Sequence, residues 1–249
     1  MNRRELKAHL VAILDRSRFD EFLDMVARYP AHALLGPLFS ALCHSLPRVR
    51  GNAVRAFGIL VPRMAETDME AARIVMRRFL WSLNEESGGI GWGAPEAMAA
   101  ILGASPSLRR EYLHLLCSYM RGDGPELFQD GNYLELPMLQ RGLLAGIGDL
   151  CRDHRQEMVA QNIAGDLRAY LASSDYQVVG LAIRCLGFLQ EAAAAQDIAG
   201  YLDHPGRVDV FVGGEEKTMT VGELAEESLA MISARTNGAD SQMMQGADK

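Results

Sequence analysis

One short phrase of small and apolar residues returns five times along this chain, and its period constrains the fold more than any other feature. The copies are Asn52–Leu60, Glu96–Leu102, Arg141–Gly148, Gly180–Gly187 and Glu227–Ser233. Aligned at Gly58, Leu102, Gly148, Gly187 and Ser233, they stand 44, 46, 39 and 46 residues apart. A recurrence at this length marks stacked helical hairpins, each too small to bury its apolar face alone. The phrase therefore speaks to architecture and leaves activity open.

Apolar periodicity fills in the elements. Leu6, Leu10, Ile13 and Leu14 share one helical face, as do Phe19, Phe22, Leu23, Val26 and Tyr29, and Pro30 ends that pair. Five hairpins are predicted next: Ala31–Ser45 with Arg48–Met64, Thr67–Leu83 with Ala94–Gly103, Ser107–Met120 with Pro137–Cys151, Met158–Leu171 with Tyr176–Gln190, and Ala192–Leu202 with Val221–Ala234. Thr67 with Glu70 reads as a capping box. Ala and Gly crowd the second helix of each pair, where small side chains let backbones approach. Val208–Val212 and Lys217–Val221 alternate around Gly213-Gly214, which predicts a β-hairpin inside the last repeat. The fold class is thus all-α, an α-solenoid with a short β-hairpin inserted near the C-terminus. Residues 1–234 form one solenoid domain in this reading, and the polar residues 235–249 a disordered tail.

Charge and cysteine usage narrow the function classes. A formal charge of −7 argues against broad binding to nucleic acid or an anionic membrane, because both need a phosphate-neutralising surface. No apolar run reaches the roughly 18 residues of a membrane helix. Charge follows Met1 at once, unlike a secretory leader. Cys43, Cys117, Cys151 and Cys185 are widely spaced, lack a CxxC pair and read as small core residues. A cytoplasmic protein is the expectation.

In a helical-hairpin stack, connections within repeats line one edge and those between repeats the other. Asn84–Gly93, Arg121–Leu136 and His204–Val221 all fall within repeats, so the insertions should gather on one binding edge. The first insertion is the most distinctive. Gly88, Gly89, Gly91 and Gly93 surround Ile90 and Trp92, with Glu85, Glu86 and Glu96 nearby and Pro95 at a helix start. One reading tucks Trp92 into the groove between repeats with the glutamates in water. The other makes Trp92 the wall of a docking site or small pocket, with carboxylates receiving a cationic group. The second insertion supplies Asp130, Asn132 and Tyr133. Asp130-Gly-Asn132 has the start of a calcium loop but lacks the glycine and the closing carboxylate at the required positions.

Other chemistry finds no support. His114 with Cys117 and Cys151 with His154 have zinc-like spacing, but antiparallel helices would set the two cysteines at opposite ends. No nucleotide loop, nucleophile elbow, HExxH or catalytic Cys–His signature occurs. No catalytic residue, metal ligand or cofactor is assigned.

The phrase Leu46–Leu60, and Ser174–Gly187 with it, resembles the HEAT-like repeats first catalogued in phycobilisome lyases, over about residues 30–234. Met76–Met98 resembles a segment of a group of bacterial HEAT-repeat proteins, which supplies no activity to carry over. The resemblance implies the solenoid and says little about function. HEAT-like DNA glycosylases need a basic concave track, which an acidic inserted edge does not offer, and nothing specific marks a bilin lyase. The reading is a non-enzymatic adaptor. Asn84, Glu85, Glu86, Trp92, Glu96, Asp130, Asn132 and Tyr133 would contact another protein bearing a basic patch, with no nucleic acid and no membrane. The alternative is a small-molecule or cofactor-handling protein with its pocket beside Gly88–Gly93.

Overall fold

The computed structural model describes residues 2–84, 91–122, 132–212 and 215–246, with no side-chain description for 211–216 or beyond 235. It divides into two compact units, Met1–Tyr119 and Met120–Lys249.

Unit 1 is helical: α1 (Arg3–Asp15), α2 (Phe19–Arg28), α3 (Ala31–Leu42), α4 (Pro47–Thr67), α5 (Met69–Leu83), α6 (Ala94–Ala104) and α7 (Pro106–Ser118). Helices α4 and α6, which carry the first two copies of the phrase, pack on each other, and α3, α5 and α7 lie against them. Phe39, Phe57 and Phe79, from α3, α4 and α5, meet with ring centroids 4.8 to 5.0 Å apart and knit three helices into one core. Asn52 is buried and donates to Leu14 O at 2.7 Å and Ser17 Oγ at 2.9 Å, so α4 closes the open carbonyl end of α1.

Unit 2 contains α8 (Pro137–Asp153), α9 (Arg155–Ala160), α10 (Ala164–Ala169), α11 (Tyr176–Leu189), α12 (Ala195–Ala199), the antiparallel strands β1 (Arg207–Val212) and β2 (Glu215–Thr220), and α13 (Val221–Gly246). Helix α11 packs between α8 and α13. These three carry the remaining copies of the phrase. The reason for its small residues is visible at Gly187, where a Cβ would lie 2.8 Å from Ser228 Cα on α13. The predicted β-hairpin is present, with Val208 opposite Met219 and Val210 opposite Lys217. Val208 and Val210 are buried, as one face of an alternating strand must be when it covers a helix.

Several local expectations change. Thr67 does not cap α5: it ends α4, and its Oγ1 donates back to Met64 O at 3.3 Å. Asp68 takes the cap, accepting from Ala71 N at 3.0 Å. The long helix expected over Met158–Leu171 is broken, because Asn162 adopts a left-handed φ of 55° between α9 and α10. Ala192–Leu202 shortens to a 3-10 turn and α12. Cys117, Cys151 and Cys185 are buried, but Cys43 is exposed because α3 stops one residue before it. The composition change at Arg235 falls inside α13.

Successive repeats are stitched at the surface by charge pairs: Arg48–Asp15 and Arg73–Glu111 in unit 1, and Arg141–Asp175 and Arg168–Asp197 in unit 2, all 2.6 to 2.7 Å. Apart from Asp175, which is 14% exposed, the partners stand well in water, so the pairs add little to stability. Their service is to register, since each joins elements some 30 residues apart.

Candidate functional site

In unit 1 the connections within repeats converge on one edge. Gly93, at the start of α6, sits so close to the end of α3 that a Cβ would meet Leu42 Cδ2 at 3.0 Å. Gly91 packs on the end of α5, where a Cβ would meet Leu83 Cδ2 at 2.9 Å and Ser82 O at 3.0 Å. The phenol of Tyr119, just after α7, donates to Asn84 Oδ1 at 2.8 Å. Burial pushes that phenol up to about 12, keeping it a neutral donor. The ends of α3, α5 and α7 therefore meet around the turn that leads into α6.

Trp92 stands between the two pinned glycines. Gly93 has a left-handed φ of 68°, and the turn closes with Ala94 N donating to Gly91 O at 3.0 Å. Trp92 is 40% exposed, so it does not tuck fully into a groove. The backbone on both sides is fixed while the indole keeps a large face in water. The turn thus leaves the indole little backbone freedom to lose.

Glu96 departs from the water-facing placement expected of it. It occupies the first turn of α6, where its Oε2 is buried without a hydrogen-bond partner although part of the side chain still reaches the surface. Burial pushes its carboxyl up to about 7, against smaller opposing effects from its own backbone N–H and the Arg50 guanidinium. Arg50 does not close a salt bridge to it; Arg50 Nη1 donates to His44 O at 2.8 Å and Ser45 O at 3.1 Å. A carboxyl poised near neutrality and facing inward steers distant cations poorly. Sequence offered one faint signal for it, an acid three residues into a helix with no serine or threonine cap to answer.

The remaining candidates separate. Asn84 is exposed at the end of α5, while Glu85, Glu86 and Asp130 lie outside the described residues. Asn132 and Tyr133 belong to unit 2 and are half-buried. There Gln140 Nε2 donates to Tyr133 Oη at 3.1 Å and to Leu134 O at 2.7 Å. The Tyr133 ring lies 6.4 Å from that of Tyr170, whose Oη donates to Met120 O at 3.3 Å. Gln177, in the first turn of α11, grips β1 by two bonds to the Asp209 backbone, of 2.6 and 2.8 Å. In unit 2, then, Tyr133 sits against Gln140 and Tyr170, and the start of α11 holds the β-hairpin. The two candidate sets are placed by separate units.

Half of the Gly88–Gly93 connection needed by the small-ligand alternative, residues 88–90, lies outside the described residues. A groove of about 350 Å³ in unit 1 is lined instead by His9, Glu21, Asp24, Met25, Arg28 and Tyr29 of α1, α2 and the turn after them. Among the described residues no three or more His, Cys, Asp or Glu side chains converge as a metal site would require, and no helix is long and apolar enough to cross a membrane.

Comparison with known proteins bears on the fold. No protein-family model matches the chain, and no curated protein matches it in sequence. Among solved structures, an engineered protein aligns over 94% of this chain and 100% of its own, with TM-score 0.50 and 16% identity. A designed armadillo repeat protein aligns over 93% and 94%, with TM-score 0.48 and 14% identity. An archaeal HEAT-like repeat protein from Thermococcus onnurineus aligns over 94% and 98%, with TM-score 0.35 and 12% identity. At such identity a likeness speaks to architecture alone. Apart from one β-hairpin the chain is built of packed helices, and at TM-score 0.50 it shares the fold of the engineered protein.

Proposed function

We infer that this chain is a non-enzymatic protein-binding scaffold and that the loop edge of unit 1 is its docking surface. The observation that carries this is Trp92, a half-exposed indole held between two glycines where an added side chain would crowd Leu83 and Leu42. Tryptophans of this kind dominate interface energies, and a fixed backbone lowers the cost of ordering them. Asn84, exposed at the end of α5, offers a polar contact on the same edge. Glu85 and Glu86, next in sequence to Asn84, would favour a partner with a basic patch, raising the on-rate more than the affinity. Asp130, Asn132 and Tyr133 form a separate contact set on unit 2.

The test is capture from lysate by the full chain and by Trp92→Ala, with the bound proteins identified by mass spectrometry. Trp92 contributes no core volume to a helix, so the variant should keep the helical circular dichroism of the wild type. The expected result is one stoichiometric partner, lost at least about 30-fold with the variant, as an anchor worth 2 kcal/mol requires. Equal capture by both proteins, or saturable quenching of tryptophan fluorescence by a small ligand with no protein captured, would overturn the reading.

A further inference from the structure

Helix α5 carries a second surface, separate from the loop edge. Ile74 and Trp81 are 56% and 67% exposed, and their spacing of seven residues places them on one stripe two turns apart. Glu70 and Arg77 share that stripe, with Arg73 and Arg78 flanking it on opposite sides. No described residue covers either apolar side chain. Both tryptophans of the chain are thus exposed, at opposite ends of one connection.

The surroundings say what kind of segment would cover the stripe. Arg78 lies flat on Phe39 of α3, its guanidinium carbon 3.7 Å from the ring centroid, and Arg73 reaches Glu111 of α7 with two bonds of 2.7 and 2.8 Å. The stripe therefore sits between α3 and α7 on a face built by three helices. Together those helices carry five arginines, no lysine and two glutamates. In a chain with a formal charge of −7 this face runs the other way. Arg109 turns inward to cap α6 through Leu102 O and Gly103 O, which leaves Arg73, Arg77, Arg78 and Arg110 toward solvent. Glu70 and Glu111 already answer Arg73 and Arg77, so the excess is modest and borders an apolar centre.

The geometry points to a docking face for an amphipathic segment of a partner protein, two apolar side chains on Ile74 and Trp81 with carboxylates on the flanking arginines. Nucleic acid fits less well, because the middle of the face offers hydrocarbon and indole where a phosphate chain needs charge. This surface does not depend on Trp92. With both in use, the scaffold would hold two partners of opposite charge.

The test is selection of a random 12-residue peptide display library on the intact chain, with every selected peptide then measured on three variants. Peptides bearing an aromatic or aliphatic pair and at least two carboxylates are expected. Their affinity should fall at least tenfold with Ile74→Ser/Trp81→Ser and with Arg77→Glu/Arg78→Glu, and change less than twofold with Trp92→Ala. Sedimentation of each variant checks that it stays folded and reads self-association. Peptides without acidic bias, peptides that bind the Ile74→Ser/Trp81→Ser chain unchanged, or a dimer that this variant dissociates would overturn the assignment. The last result would give the face to a second copy of the chain. Loss on Trp92→Ala alone would move the binding to the loop edge and leave that reading standing.

Discussion

The stability advantage of Glu96→Gln over the wild-type chain should grow by about 3 kcal/mol between pH 4.5 and pH 8. The folded carboxyl is held at about 7 by burial of an oxygen with no donor, against an ordinary 4.5. Each unit of difference is worth about 1.4 kcal/mol of linkage. The sign follows from which state holds the proton more tightly. Below pH 4.5 both states are protonated and the burial costs nothing extra. Between 4.5 and 7 the unfolded chain ionises first, so stability falls as pH rises. Above 7 both ionise and the full cost is in place. Glutamine never ionises, and any fixed cost of burying its amide is the same at each pH, so the change with pH isolates the charge. Both tryptophans lie in unit 1, so fluorescence during urea unfolding reports on the unit that contains Glu96. The urea midpoint difference between variant and wild type should widen by roughly 1–3 M across this range, for the usual slopes of small domains. A difference that stays constant with pH would refute the buried, unpartnered placement of this carboxyl.

Four further substitutions probe the scaffold. Gly187→Ala should destabilise unit 2 by about 1–3 kcal/mol, since the added methyl must displace Ser228 on α13; thermal melts followed by circular dichroism would read it. Asp68→Ala should cost about 1 kcal/mol in urea unfolding and Thr67→Ala no more than a few tenths, because Asp68 holds the first turn of α5 and Thr67 does not. Asn52→Ala should cost about 1–3 kcal/mol and speed amide exchange in α1, whose Leu14 carbonyl it satisfies.

The second helix of each repeat was legible because its small residues answer a neighbour at fixed distance. The phrase copies at Asn52, Glu96, Arg141, Gly180 and Glu227 fall in α4, α6, α8, α11 and α13. The first helices were harder. An asparagine can enter the left-handed region at little cost, so Asn162 could divide an otherwise periodic run without a proline or glycine to announce it. Neighbouring Thr67 and Asp68 are both good caps, and only the point where α4 ends decides between them. At the site, sequence left open whether Trp92 tucks away or faces water, and only packing sets its exposure at 40%. The inward turn of Glu96 was hidden, since sequence reports a charge and not which way its stem leans. The stripe on α5 was missed for a related reason: Ile74 and Trp81 fit an apolar pattern that normally means core, and only packing reveals that this side has no neighbour.

Hydrogen–deuterium exchange on the complex captured by the full chain tests the central claim most directly, because it reads the docking surface residue by residue. Binding through the loop edge of unit 1 predicts slowed exchange at Asn84 and across Gly91–Glu96, with α1 and the β-hairpin unchanged. Protection confined to unit 2, or to the groove lined by His9 and Tyr29, would contradict it.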